Sequence, residues 1–243
     1  MKVIKLNATP STNDYLKDLI NQQIVENFTV VTTDNQTNGR GQMGAKWESE
    51  TGKNLTMSVL VKDLLLDIDQ IYSLNVAVAV SVIQALESYK IPQLSIKWPN
   101  DIMSANFKIG GILIENSIKS SGEIFSIVGI GINVNQENFE SLPKASSLRN
   151  VSGQLYNKDE LMMVIVEFIR KNYNALVNKN TTLIWEKYRN TLFKRYLPMP
   201  FESNFGNKFM GIIQNVSTDG KLEILLENDS IQQFEVKSVT MLY

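Results

Sequence analysis

The stretch TNGRGQMGAKW, residues 37–47, sets Gly39, Gly41 and Gly44 at the spacing Gly-x-Gly-x-x-Gly. That spacing often announces a phosphate-binding turn, and its flanks decide between folds. The run FTVVTTD just ahead of it reads as a strand. A dinucleotide-binding turn would then open a helix at the last glycine. Here the last glycine opens AKWESETGKNLTMSVLV, a polar loop running into another strand. A kinase glycine loop does lie between strands, but that fold needs a His-Arg-Asp loop and an Asp-Phe-Gly. The chain has no histidine and no Asp-Phe-Gly. A Walker loop needs Lys directly after its last glycine, and Ala45 stands there. Taken alone, the segment also reads as a surface loop whose glycines merely permit turns. Its companions have to decide.

The 243 residues suggest one large domain, or one large and one small. Hydrophobic residues at 43% and charged residues at 20% are ordinary for a globular protein, so a core can form without disulfides. With no cysteine none is possible, which fits a reducing, cytoplasmic setting. MKVIKLNATP turns polar too soon for a signal peptide, and no apolar run is long enough for a membrane helix. A formal charge of −1 and scattered Lys and Arg argue against a dedicated nucleic-acid surface. Without His or Cys there is no His general base, no Cys nucleophile and no conventional zinc site. Chemistry must rest on Lys, Arg, carboxylates, amides, hydroxyls and a hard cation such as Mg²⁺.

Along the chain, KVIKL reads as a first strand and PSTNDYLKDLINQQ as a helix. Ser11 or Thr12 can cap that helix, and Tyr15, Leu16, Leu19 and Ile20 form its apolar stripe. NLTMSVLVK is another strand, and IYSLNVAVAVSVIQALESYK reads as a buried helix. LSIKWPNDIM, KIGGILIENSI and EIFSIVGIGINVN are strand-like, with turn signals between them. Two helical patterns come next, KDELMMVIVEFIRKNYNALV and TLIWEKYRNTLFKRY. The character changes near YLPMP, after which KFMGIIQNVS, KLEILLEN and IQQFEVKSVTML are short β segments. They predict a small barrel or sandwich as a second domain.

Three further clusters accompany the glycine loop. In KWPNDI, residues 97–102, Lys97, Asn100 and Asp101 place a cation, an amide and a carboxylate around a turn. In KIGGILIE, residues 108–115, Lys108 precedes paired glycines where a backbone can approach a ligand closely. In GIGINVN, Gly129 and Gly131 thin a strand and Asn133 offers an amide. Each also has a structural reading, as a turn, a bulge or a core tryptophan. Four in this order do not arise readily by chance.

Together the four clusters resemble the biotin–protein ligases, through about residues 1–150 and more loosely to the C-terminus. The family's Ser-Thr-Asn is matched by Ser11, Thr12 and Asn13, and its Gly-Arg-Gly loop by Gly39, Arg40, Gly41, Gly44 and Trp47. Its Lys-Trp-Pro-Asn-Asp stands intact at 97–101. The later lysine and Gly-Ile-Leu match Lys108 and Gly111 to Leu113, and Gly-x-Gly-Ile-Asn matches Gly129 to Asn133. The loop departs from the family where a second arginine often stands, since Gln42 and Met43 occupy those positions.

The resemblance implies an α+β fold, a mixed sheet with helices related to class II aminoacyl-tRNA synthetases, and after it a small SH3-like barrel. The corresponding boundaries are a catalytic domain over 1–194 and a barrel over 195–243. It implies an ATP-dependent, AMP-forming ligase that makes biotinyl-adenylate and passes biotin to a lysine of a biotin carboxyl carrier protein, with Mg²⁺ accompanying ATP. Lys108 and Arg40 are the expected catalytic cations. Ser11, Thr12, Asn13 and Gln36 are expected to satisfy the buried ureido group of biotin, with Arg40, Gly41, Gln42, Lys108, Gly111 and Ile112 completing its site. ATP is expected at Arg40, Trp47, Lys97, Asn100, Asp101, Lys108 and Asn133, with Mg²⁺ at Asp101 and Asn133. The polar loop from Asp34 to Lys46 is expected to close over the adenylate and exclude water.

A lipoate-type ligase and a non-catalytic biotin-responsive protein are the alternatives. Related ligases include homodimers. Some relatives carry an N-terminal helix-turn-helix; here KVIKL begins at residue 2, so a short form without operator binding is expected.

Overall fold

A computed structural model describes residues 2–62, 71–118 and 124–243. Elements run β1 (Val3–Thr9), α1 (Thr12–Gln22), β2 (Val30–Gln36), β3 (Leu55–Lys62), α2 (Ile71–Ser88), β4 (Leu94–Lys97) and β5 (Asp101–Ser104). They continue with β6 (Phe107–Ile118), β7 (Ile124–Ile132), α3 (Leu148–Ser152), α4 (Lys158–Val177) and α5 (Thr182–Asn190). Then come β8 (Pro198–Ser203), β9 (Lys208–Val216), β10 (Leu222–Leu226), β11 (Ile231–Phe234) and β12 (Val239–Met241).

The first seven strands form one mixed sheet in the order β1-β2-β3-β7-β6-β5-β4. Among these described strands only β1 and β2 run parallel, joined through α1 as a β-α-β crossover; the other neighbours are antiparallel. The last five strands form an antiparallel sheet, β11-β10-β9-β8-β12, in keeping with an SH3-like unit.

Period-two alternation separates the two faces of the large sheet. From β3, Leu55, Met57, Val59 and Val61 enter the main core with α2 and α4. Its other face carries Thr56 and Ser58, then Leu60, which packs in a smaller core with Leu16 and Ile20 of α1. On β7, Val128, Ile130 and Ile132 join the main core. Gly129 and Gly131 therefore fall on the α1 face, where they remove side chains from the sheet. This face holds the site.

Local chemistry accounts for the helices. Ser11 caps α1, its hydroxyl accepting from Asp14 N–H. Asn157 caps α4 by accepting from Asp159 and Glu160 N–H. α2 is apolar on nearly every side because the sheet, α4 and α5 all pack against it.

Four segments differ from the pattern reading. LSIKWPNDIM is a hairpin, β4 and β5, with a cis Trp98–Pro99 peptide in its turn. The last helix stops at Asn190, because the next residues leave it to pair with β4: Ile96 N–H reaches Thr191 O and Phe193 N–H reaches Ile96 O. YLPMP leads directly into strand β8, and IQQFEVKSVTML divides into β11 and β12 around Lys237 at φ +73°. Glu123, read as the start of EIFSIVGIGINVN, lies outside the described residues.

Candidate functional site

The start of α1, the glycine loop, the β4–β5 turn, the thinned strands β6 and β7 and the edge of the small sheet enclose one cleft of about 520 Å³. Every binding residue expected from the sequence lines it except Asn133.

At the polar end, Gln36 Oε1 accepts Thr12 N–H at 2.9 Å and Thr12 Oγ1 lies 3.2 Å from it. Ser58 Oγ lies 2.7 Å from Thr12 Oγ1 and 2.5 Å from Asn13 Oδ1. Asn13 Nδ2 donates to Glu115 Oε2 at 2.6 Å. Ser11 is spent on its cap, so Thr12, Asn13 and Gln36 present the remaining polar atoms. Buried Ser58 stands directly beneath Thr12 and Asn13 and belongs to no motif.

The middle of the cleft is apolar. Trp47 lies against the bare backbone of the strands: a Cβ on Gly131 would fall inside its ring, and one on Gly111 would touch it at 3.5 Å. The indole Nε1 is buried and has no hydrogen-bond partner among the described residues.

At the cationic end, Lys108 Nζ lies 2.6 Å from Asp101 Oδ1, and Lys97 Nζ lies 3.9 Å from the other carboxylate oxygen. Burial holds the Lys97 ammonium below the usual lysine range; Asp101 opposes this, while Lys108 and Lys144 add to it. The Tyr243 ring sits 4.9 Å from Lys97 Nζ and 4.4 Å from Lys144 Nζ. Burial, then the Asp101 charge, raises the Tyr243 phenol. Asn100 clamps the turn to β6, donating Nδ2 to Ile112 O at 2.7 Å and receiving Ile112 N–H at 3.1 Å.

The loop crosses the cleft. Gly41 N–H bonds Ala45 O, Trp47 N–H bonds Gly39 O, and Arg40 bridges Lys46 in a short antiparallel contact. A Cβ on Gly39 would collide with the Trp47 carbonyl, so this crossing requires glycine. Gln42 begins a single 3₁₀ turn that also faces the cleft. Arg40 Nη2 pairs with Asp14 Oδ1 and lies 3.5 Å from Glu115 Oε1.

Asn133 is placed elsewhere. It is buried beneath β6, where its N–H bonds Ile109 O and its Nδ2 donates to Ser146 O. The small sheet adds Lys237 and Thr240 to the cleft, which no motif in the sequence marks. Among the described residues no group of three His, Cys, Asp or Glu could hold a metal, and no helix is long and apolar enough to cross a membrane.

Fold and site define a mixed-sheet ligand-binding protein whose cleft runs from a polar pocket, past an aromatic wall, to a cluster of ammonium groups. A profile of the biotin/lipoate A/B protein ligase family matches residues 6–135, and the chain belongs to this family. The chain is 31% identical over 218 residues to the bifunctional ligase/repressor BirA of Bacillus spizizenii, covering 86% of this chain and 66% of that protein. It is 24% identical over 196 residues to the biotin–[acetyl-CoA-carboxylase] ligase of Mycobacterium tuberculosis, covering 79% and 71%. The biotin protein ligase of Aquifex aeolicus, solved with biotin and ATP, superposes with a TM-score of 0.82 at 26% identity, over 99% and 98% of the two chains. The chain thus spans just under two thirds of the length of the Bacillus relative.

Proposed function

We propose that this protein is a biotin–protein ligase that activates biotin with ATP and transfers it to a lysine of a carrier protein. The observation that carries this reading is the meeting, in one cleft, of the Thr12–Gln36 pocket with Lys108 and Arg40. Thr12, Asn13 and Gln36 suit the donors and acceptor of a ureido group, and Trp47 with the glycine strands suits its rings and aliphatic tail.

In the first step a carboxylate oxygen of biotin attacks the α-phosphorus of ATP, and the bond to the bridging oxygen breaks with release of pyrophosphate. Lys108 neutralises the approaching carboxylate and phosphate oxygens, and Arg40 offers a forked donor set. In the second step the acceptor amine attacks the acyl carbon and AMP leaves. Neither step needs an enzyme nucleophile, which suits a chain without His or Cys.

The residues present fit Mg²⁺ carried mainly by ATP. Asp101 is the one carboxylate lining the cleft among the described residues, and magnesium is commonly held by one or two carboxylates with substrate phosphates and water. The ion would supply charge neutralisation at the phosphates. We take residues 1–194 as the catalytic unit and 195–243 as a barrel that closes the ATP side, acting in the cytoplasm on a carboxylase carrier domain.

The test is mass spectrometry of a carrier domain incubated with the protein, Mg-ATP and either biotin or lipoate. A biotin-sized mass gain on one lysine, absent with lipoate, is the expected result. Modification by lipoate alone, or none with either acid, overturns the reading.

A further inference from the structure

Arg40 sits between Gly39 and Gly41, on a loop whose backbone does little to fix a long side chain. In this structure two carboxylates from different elements fix it: Asp14 from the first turn of α1 and Glu115 from β6. Both reach the same nitrogen, Nη2. A guanidinium carries five N–H donors, so Nε and Nη1 remain available to an incoming phosphate. The carboxylates orient Arg40 and leave it competent to bind.

Glu115 also faces the other way. Its Oε2 takes Asn13 Nδ2 at 2.6 Å, and Asn13 Oδ1 takes Ser58 Oγ at 2.5 Å. A continuous path of hydrogen bonds and ion pairs therefore runs from buried Ser58 beneath the pocket, through Asn13 and Glu115, to the loop cation. We propose that Asp14 and Glu115 are positioning residues which preset Arg40 over the cleft and couple occupancy of the polar pocket to closure of the glycine loop. This rests on the adenylate-forming function proposed for the cleft.

Each pair is partly exposed and weak on its own. Their effect lies in ordering a glycine-flanked side chain before the ligand arrives.

The chemistry of the two carboxylates allows a clean test. Glu115→Gln keeps an amide oxygen for Asn13 and removes the charge that faces Arg40. Asp14→Asn removes the second charge from an exposed helical turn and carries the test alone if the first variant does not fold. Tryptic cleavage after Arg40 and Lys46 reports loop order with biotin as the only ligand, and release of biotinyl-adenylate reports retention. The expected result is loop cleavage and adenylate release both faster by about three- to tenfold, with biotin affinity weakened by no more than that same factor. Biotin should also protect the loop less in the variants.

Unchanged cleavage and release in folded variants would overturn the proposal. Loss of biotin binding with normal cleavage would also overturn it, confining Glu115 to support of the pocket. Because the tryptic measurement needs no ATP, a protein that failed to form adenylate would still reveal whether the latch exists.

Discussion

Lys108 Nζ and Asp101 Oδ1 lie 2.6 Å apart across neighbouring strands, next to a register shift between Ile102 and Met103. The shift offsets β5 against β6, and the pair spans that irregularity, with Asp101 opposite Gly111 before it and Lys108 opposite Met103 after it. Asp101 therefore anchors the ammonium at the cleft while Lys97 flanks the same carboxylate.

Lys108→Ala is expected to reduce biotin-dependent pyrophosphate release by roughly 10²–10³, the usual effect of removing a preorganised charge contact made in a transition state. The ammonium is about one-third exposed, so its loss should move the unfolding midpoint little. Pyrophosphate release measured beside thermal unfolding checks both. Normal turnover in the folded variant would remove Lys108 from catalysis.

Gly131→Ala tests the aromatic wall. The added methyl would enter the Trp47 ring, so the indole must move off the strand. Overpacking of this kind costs about 1–3 kcal/mol. Biotin affinity should fall roughly tenfold, with a shift in tryptophan emission. Titration calorimetry and fluorescence together decide; unaltered affinity would place the ligand away from Trp47.

The strands and their turns are legible in the sequence because alternation and glycine punctuation are local signals. Lys108, Gly111 and Trp47 are legible because each sits in a short motif. Ser58 is not: in NLTMSVLVK it reads as one small residue in an apolar strand, and only the fold brings it under Asn13, 45 residues away. The Asn13–Glu115 bond spans 102 residues and leaves no mark either. Lys237 escapes a sequence reading because its place in the cleft depends on how the small sheet docks. The overlong final helix has a clear cause. Leu192 and Phe193 continue the helical spacing, yet their backbone pairs with Ile96 in the sheet. Asn133 draws attention as an amide beside two glycines, and the structure gives that amide to Ser146 O.

Gln42→Arg addresses retention of the intermediate. The described loop offers Arg40 and Lys46 as cations, and Gln42 faces the cleft beside them. A third cation there should slow biotinyl-adenylate dissociation by about three- to tenfold, the range of a partly exposed charge-assisted contact. Stopped-flow release is the measurement. Unchanged or faster escape would show that position 42 plays no part in retention.

Trp98 connects the small sheet to the cationic end of the cleft. Its Nε1 donates to Gly220 O at 2.9 Å, in the β9–β10 turn. Gly220 has φ +94° and rests on the Tyr72 ring, where a Cβ would collide, so both conformation and contact require glycine. Tyr72 in turn meets Tyr188 through paired hydroxyls 3.2 Å apart, and burial pushes the Tyr72 phenol up to about 12. The tie is thus set in a buried polar cluster, and Trp98 lies between Lys97 and the Asn100–Asp101 turn. Trp98→Phe keeps much of the ring and deletes the donor, leaving the buried Gly220 carbonyl unpaired. The expected cost is about 1–3 kcal/mol in urea unfolding. If docking of the small sheet positions the β4–β5 turn, KM for ATP should rise several-fold. Biotin affinity should hold, because Thr12, Asn13 and Gln36 belong to other elements. Destabilisation with both constants unchanged would show that Trp98 only fastens the two sheets together and does not position the cationic end of the cleft.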